Sequence, residues 1–238
     1  MLRSIALTGL ALVAAITTRA APAPFEDTMA QRTLACSACH GKEGRAAPDG
    51  YYPRIAGKPA GYLYNQLLNF RDGRRHYGLM TRLLDPLSDE YLREIAQYFG
   101  ALDLPYAAPP MPALPAPVLQ RGRVLALDGD AAARVPACVQ CHGAALTGVL
   151  PNTPGLLGLP RDYLNAQLGA WRTGQRRAHA PDCMAHVARS LSAEDLTAVA
   201  AWLASQPLPA DSKAIAVLPK PAPIACGSAI FPAGSPRP

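Results

Sequence analysis

Two stretches of the chain, about one hundred residues apart, share the same order of apolar and polar positions. Residues 59–72 and 160–173 each begin with proline and are followed by glycine. A proline start, an apolar stripe at helical spacing and a glycine stop are typical of a helix with one buried face. We therefore predict a helix in each stretch. The apolar positions are Leu63, Leu67 and Phe70 in the first stretch and Leu164, Leu168 and Trp171 in the second.

A later pair of stretches repeats the helical spacing i, i+3, i+4, i+7. Each opens at a serine, Ser88 or Ser192, and Asp195 three positions after the second serine matches a capping box. We predict a final helix in each half, and shorter helices over residues 25–35 and 118–127. The apolar positions of the final helices are Leu92, Ile95, Ala96 and Phe99, then Leu196, Val199, Ala200 and Leu203.

The motif C-x-x-C-H occurs twice, as residues 36–40 (CSACH) and, 102 residues later, as residues 138–142 (CVQCH). Its two thiols add to the vinyl groups of a haem, and its histidine ligates the iron. A zinc site made from both cysteine pairs is the alternative, but everything around each copy repeats as well. Two covalently bound haem c groups are therefore predicted. The residues concerned are Cys36, Cys39, Cys138 and Cys141 for attachment and His40 and His142 for the iron.

The sixth iron ligand decides between electron transfer and catalysis. Met80 and Met184 lie 40 and 42 residues after the two histidines, in what we predict to be a loop before the final helix. A methionine in an apolar chain is usually core filling, but the matching positions favour ligation. The competing ligands are His76, His179, His186 and Cys183.

The two cysteines outside the motifs are Cys183 and Cys226, and a disulfide between them would attach the tail to the second half. Arg75 and Arg176 each follow the glycine that ends a helix by two residues, so they could pair with haem propionates or lie solvated on the surface. We expect Tyr62 and its repeat in the second half, Tyr163, to pack in the core and not to contact a haem directly.

The remaining segments set the domain organisation. Residues 1–20 have the basic start and apolar run of a secretory signal peptide, which predicts a periplasmic location, although an uncleaved anchor would leave the protein peripherally membrane-associated. We expect an N-terminal domain over 25–104, a Pro-rich linker over 105–117, a C-terminal domain over 118–206 and an irregular tail over 207–238. The formal charge of +6 comes without a basic run, so no nucleic-acid partner is expected.

Several residues, in this order and spacing, resemble a cytochrome c4 domain, and the second half resembles one too. They are residues 36–41, Pro53, Gly57, Tyr62, Gln66, Leu67, Gly73, Arg75, Met80 and residues 87–89. The resemblance covers roughly residues 25–206. It implies an all-α protein of two tandem class I cytochrome c domains, each wrapped round one covalent haem. It also implies that the carbonyls of Pro53 and Pro154 fix the tautomers of the histidines.

The function predicted is electron transfer, from a quinol-oxidising complex or a dehydrogenase to an acceptor such as a terminal oxidase. Two alternatives remain. One is a haem enzyme, a dihaem peroxidase or a thiosulfate-oxidising dehydrogenase, in which one iron lacks methionine. The other is a cytochrome subunit held in a larger dehydrogenase complex.

Overall fold

The computed structural model describes residues 26–46, 51–109, 111 and 114–230. The predicted signal peptide and the last eight residues of the predicted tail lie outside these ranges. No helix within them is both long and apolar enough to cross a membrane.

Helices dominate the described residues, with one short hairpin in the second half, so the all-α prediction is confirmed. The first half contains α1 (Met29–Arg32), α2 (Leu34–His40), a 3-10 turn (Lys42–Gly44), α3 (Ala60–Arg71), α4 (Gly78–Leu84) and α5 (Asp89–Ala101). The second half contains α6 (Ala116–Leu127), α7 (Val139–His142), β1 (Gly148–Val149), β2 (Thr153–Pro154), α8 (Arg161–Thr173), α9 (Cys183–Ser190), α10 (Ala193–Ser205) and α11 (Gly227–Ile230).

The four long repeated helices are α3, α5, α8 and α10, and they form where the sequence predicted them. The hydroxyls of Ser88 and Ser192 accept hydrogen bonds from backbone N–H groups three residues later, which caps α5 and α10. Gly174 ends α8 in the left-handed region, at φ 79°. All eight apolar positions of α5 and α10 are buried.

Two local predictions were wrong. The helix predicted over residues 25–35 is broken at Thr33, whose φ and ψ of −97° and 12° separate α1 from α2. Met80 and Met184 lie on α4 and α9, not in a loop; α9 forms because the Asp182 carboxylate accepts from the backbone N–H of Ala185. The described part of the tail is irregular, as expected, apart from the four residues of α11, which follow Cys226.

Each half has its own apolar core. In the first half α5 packs on α3, and in the second α10 packs on α6 and α8. Gly122 marks the closest approach of α6 to α10, because a Cβ there would lie 2.1 Å from the carbonyl oxygen of Ala198. The two cores surround two separate cavities, which hold the candidate site residues.

The predicted linker starts by folding back on both halves. Arg54 donates to the carbonyl oxygens of Leu104 and Pro105, and its guanidinium carbon lies 3.8 Å from the ring centroid of Tyr106. The same ring packs against Gly158, at φ 68°, where a Cβ would come within 2.5 Å of it. Tyr106 therefore sits between the first half and the second.

Candidate haem sites

The first cavity, of about 710 Å³, brings together three of the predicted site residues: Cys36, His40 and Met80. Cys39 lies on the same helix, α2, half-buried and three positions after Cys36. Apolar side chains of α3, α4 and α5 line part of the remaining wall, together with polar and charged side chains of both halves. The motif and the methionine thus approach the same space from α2 and from α4.

His40 is the last residue of α2 and is buried. Its Nδ1 lies 2.8 Å from the carbonyl oxygen of Pro53, which accepts a hydrogen bond from it and leaves Nε2 as the free ring nitrogen. Burial lowers the pKa of the imidazole and so favours its neutral form, which is the form that binds a metal. The proline contact expected from the resemblance is confirmed.

The second cavity, of about 220 Å³, repeats this arrangement with Cys138, Cys141, His142 and Met184 in its lining. The Nδ1 of His142 lies 2.7 Å from the carbonyl oxygen of Pro154. Burial lowers the pKa of His142 and raises that of the Cys138 thiol to about 12. The cysteines of the two motifs therefore face separate cavities instead of converging on one metal site.

The tail closes one side of the second cavity, with Leu218, Ala222 and Ile224 among its lining residues. Cys226 forms a disulfide with Cys183, so this prediction is confirmed and the Cys183 thiolate is not available to an iron. Backbone hydrogen bonds also hold the tail. They are Ile215 N to Gly148 O at 3.0 Å, Leu150 N to Ile215 O at 2.8 Å and Gly227 N to Pro181 O at 2.9 Å.

The other competing ligands are less well placed than the methionines. His76 lines the first cavity, but its side chain is exposed. The described lining of the second cavity includes neither His179 nor His186. Met80 and Met184 are therefore the candidate sixth ligands that occupy matching positions in the two cavities.

The two cavities meet at a junction of six polar side chains, contributed by three pairs of corresponding positions. Arg75 donates to Gln66 of its own half at 3.1 Å and to Gln167 of the other half at 2.6 Å. Arg176 repeats the pattern, donating to Gln167 and to Gln66, each at 2.8 Å. The third pair adds longer bonds, from Arg75 to the hydroxyl of Tyr163 at 3.3 Å and from Arg176 to that of Tyr62 at 3.4 Å.

Backbone contacts bring the strand-like segments around these arginines together, since Arg75 and Arg176 form an antiparallel bridge. Each guanidinium also stacks on an aromatic ring of its own half, Arg75 on Phe70 at 4.4 Å and Arg176 on Trp171 at 3.7 Å. Tyr62 packs against the apolar core of the first half, as expected, and it also lines both cavities at the junction.

The donor set fits haem c in both halves. Each cavity is lined by a motif cysteine, a buried histidine held by a proline carbonyl, a methionine and apolar side chains. Arginines stand at the junction, where the anionic propionates of a haem would find donors. Fold and site together define a class I c-type cytochrome with two haem-binding units.

Comparison with known proteins identifies the family. The sequence profile described as Cytochrome c matches residues 126–207. The chain is 40% identical over 173 residues to the thiosulfate dehydrogenase electron acceptor of Thiomonas intermedia (strain K12), covering 73% of this chain and 79% of that one. It is 32% identical over 176 residues to cytochrome c4 of Pseudomonas aeruginosa, covering 72% of this chain and 84% of the relative. The chain belongs to the cytochrome c4 family, whose members carry two covalently bound haems.

Two solved structures share the fold. Reduced recombinant cytochrome c4 from Pseudomonas stutzeri aligns with a TM-score of 0.63 at 29% identity, covering 74% of this chain and 96% of that one. Thiosulfate dehydrogenase (TsdBA) from Marichromatium purpuratum aligns with a TM-score of 0.65 at 36% identity over 73% of this chain, but the chain spans only 36% of that protein. The protein is therefore a dihaem c-type cytochrome of an electron-carrier family.

Proposed function

We propose that each haem is attached through the two cysteines of its motif and ligated by one histidine and one methionine. The observation that carries this assignment is its repetition, since His40 and Met80 line the first cavity just as His142 and Met184 line the second. When bound, each haem supplies a one-electron couple between iron(III) and iron(II).

The residues around each haem would favour that couple over catalysis. A proline carbonyl holds each histidine in one tautomer, so the Nε2 lone pair would be left to bind the iron. A methionine in the sixth position raises the reduction potential and leaves no open position for a substrate. Apolar side chains form much of the lining of both cavities, which would surround the haem with few polar groups.

The protein would accept electrons from a dehydrogenase and pass them to an acceptor such as a terminal oxidase. Two relatives support thiosulfate dehydrogenase as the donor, since each is named as the electron acceptor of that enzyme. The signal-like residues 1–20 support the periplasm as the location. The disulfide at Cys183 weighs against one form of the enzyme alternative, because it removes the thiolate that would otherwise ligate an iron.

The methionine assignment is tested by absorption spectroscopy, and the same protein then serves to test the electron donor. The weak red-edge absorption of methionine sulfur on ferric haem is quantified for the wild type and for M80A, M184A and M111A, Met111 being 88% exposed. Two equivalents are expected in the wild type and in M111A, and one in each ligand variant. Loss of no equivalent in M80A or M184A would refute the ligand assignment.

The oxidised wild type is then mixed with thiosulfate and a purified thiosulfate dehydrogenase. We expect both haems to become reduced only when the enzyme is present. Reduction by dithionite but not by this mixture would exclude the proposed donor. Oxidation of thiosulfate by the cytochrome alone would support the enzyme alternative instead.

A further inference from the structure

Lys58 is a buried cation at the junction of the two cavities. It is 6% exposed and lines both of them. It lies between Gly57, which follows the His40 loop, and Pro59, which caps α3. A buried lysine normally has a carboxylate or several acceptors to compensate its charge.

Such compensation is missing from the described part of the chain. No ion pair there involves Lys58, Arg75 or Arg176. The two arginines bond to neutral glutamines and tyrosines, and no described residue hydrogen-bonds the Lys58 ammonium. Burial and the charge of Arg54 lower its pKa, while Tyr106 and Tyr163 oppose this change. Among the described residues, no carboxylate therefore pairs with the three cations Lys58, Arg75 and Arg176.

Haem c brings the missing anions, because each haem carries two propionate carboxylates. A lysine binds such a group as a compact point charge with three donors. The free ammonium of Lys58, its burial and its place in both cavity walls are what a propionate site requires.

The corresponding position in the second half carries no charge. The loops align as residues 53–59 and 154–160, which places Leu159 opposite Lys58. Leu159 is 7% exposed and belongs to the apolar core of the second half. Every other member of the junction described above has a counterpart of the same type, so Lys58 breaks its symmetry.

We propose that Lys58 binds a haem propionate where the two cavities meet, and that this single charge makes the reduction potentials of the two haems unequal. A cation near an iron stabilises the ferrous form, which is the less positive of the two. The charge therefore raises the potential of the haem that it contacts, and it raises the potential of the other haem less.

The test is a spectroelectrochemical titration of the full dihaem protein that resolves both couples. The variants are K58M, which removes the charge, K58R, which keeps it, and K220M, which removes an exposed lysine charge as the matched control. K58M is expected to lower the equilibrium constant for reduction at one haem by at least tenfold, about 59 mV for a one-electron couple. The gap between the two potentials changes with it, whereas K58R and K220M stay within threefold of the wild type.

Two results would overturn the proposal. One is a K58M titration equal to that of K220M, and the other is a K58R shift as large as that of K58M, which would point to shape instead of charge. If K58M does not retain both haems, K58Q replaces it and is judged by the same outcomes. The inference needs the two haems but not the electron donor, and the methionine band of each sample reports separately on the ligand assignment.

Discussion

The disulfide between Cys183 and Cys226 gives the sharpest stability prediction. Its removal in the double variant C183S/C226S frees the tail at its far end while leaving no thiol beside Met184. The tail then depends on the backbone hydrogen bonds around Ile215 and on the apolar contacts of Leu218 and its neighbours. The second half should therefore lose stability, and the first half should not.

The magnitude follows from the length of the closed loop. The cysteines are separated by 43 residues in sequence, and a crosslink of that length removes about 4 kcal/mol of denatured-state entropy at 25 °C. Small proteins have guanidinium m-values of about 2–6 kcal/mol/M. The unfolding midpoint of the second half should accordingly fall by roughly 0.7–2 M.

The assay is guanidinium unfolding of the dihaem protein, followed by the methionine band, with M80A and M184A backgrounds to separate the two haems. In the M80A background the remaining band reports Met184 and should disappear at lower denaturant in C183S/C226S. In the M184A background the band reports Met80 and should not move. Equal midpoints with and without the disulfide in the first background would refute the claim that the bond holds the tail over the second cavity.

The remaining predictions concern the second core and one ion pair. Gly122→Ala should destabilise the protein by about 1–3 kcal/mol in thermal or denaturant unfolding, because its Cβ would meet the carbonyl of Ala198; Gly169→Ala, with open space around it, should instead stabilise α8 by up to about 1 kcal/mol. Arg121 lowers the pKa of Asp130 below 3.8, so D130N should be less stable than the wild type at neutral pH. The difference in stability between D130N and the wild type should vanish as the pH falls through that lowered pKa, because the wild-type carboxyl then loses its charge as well. A stability difference that persists at low pH would contradict the ion-pair explanation.

Much of the fold and of the set of haem-binding residues was predictable because the two halves of the sequence repeat the same pattern. One apolar stripe at helical spacing, such as Leu92, Ile95, Ala96 and Phe99, is weak evidence for a helix. Its recurrence about one hundred residues later argues strongly against a chance pattern. The same logic drew attention to Met184 as a ligand candidate. The kink at Thr33 and the helical setting of Met80 were not predicted, because local propensity there is weak and tertiary packing decides. The cap of α9 at Asp182 was a local signal for the helix of Met184 that the sequence reasoning missed.

The junction was not predictable from residue types. Arg75 and Gln66 are polar and usually exposed, and a lysine such as Lys58 is rarely buried. One signal was available: Tyr62 and Gln66 lie four positions apart, on one face of a helix, and the pair recurs in the second half. Polar side chains repeated on one helix face indicate a shared interface, although only the folded chain shows that the two faces meet each other.

The reciprocal bonding of Arg75 to Gln167 and of Arg176 to Gln66 is the geometry of a two-fold symmetric dimer, in which residue i meets j and j meets i. Here both partners belong to one polypeptide. Pairing therefore does not depend on protein concentration, as it does for separate subunits. A homodimer must also carry the same residue at equivalent places, whereas a fused chain can place Lys58 on one side and a leucine on the other. Covalent fusion thus allows the two sides of an otherwise symmetric assembly to differ in charge.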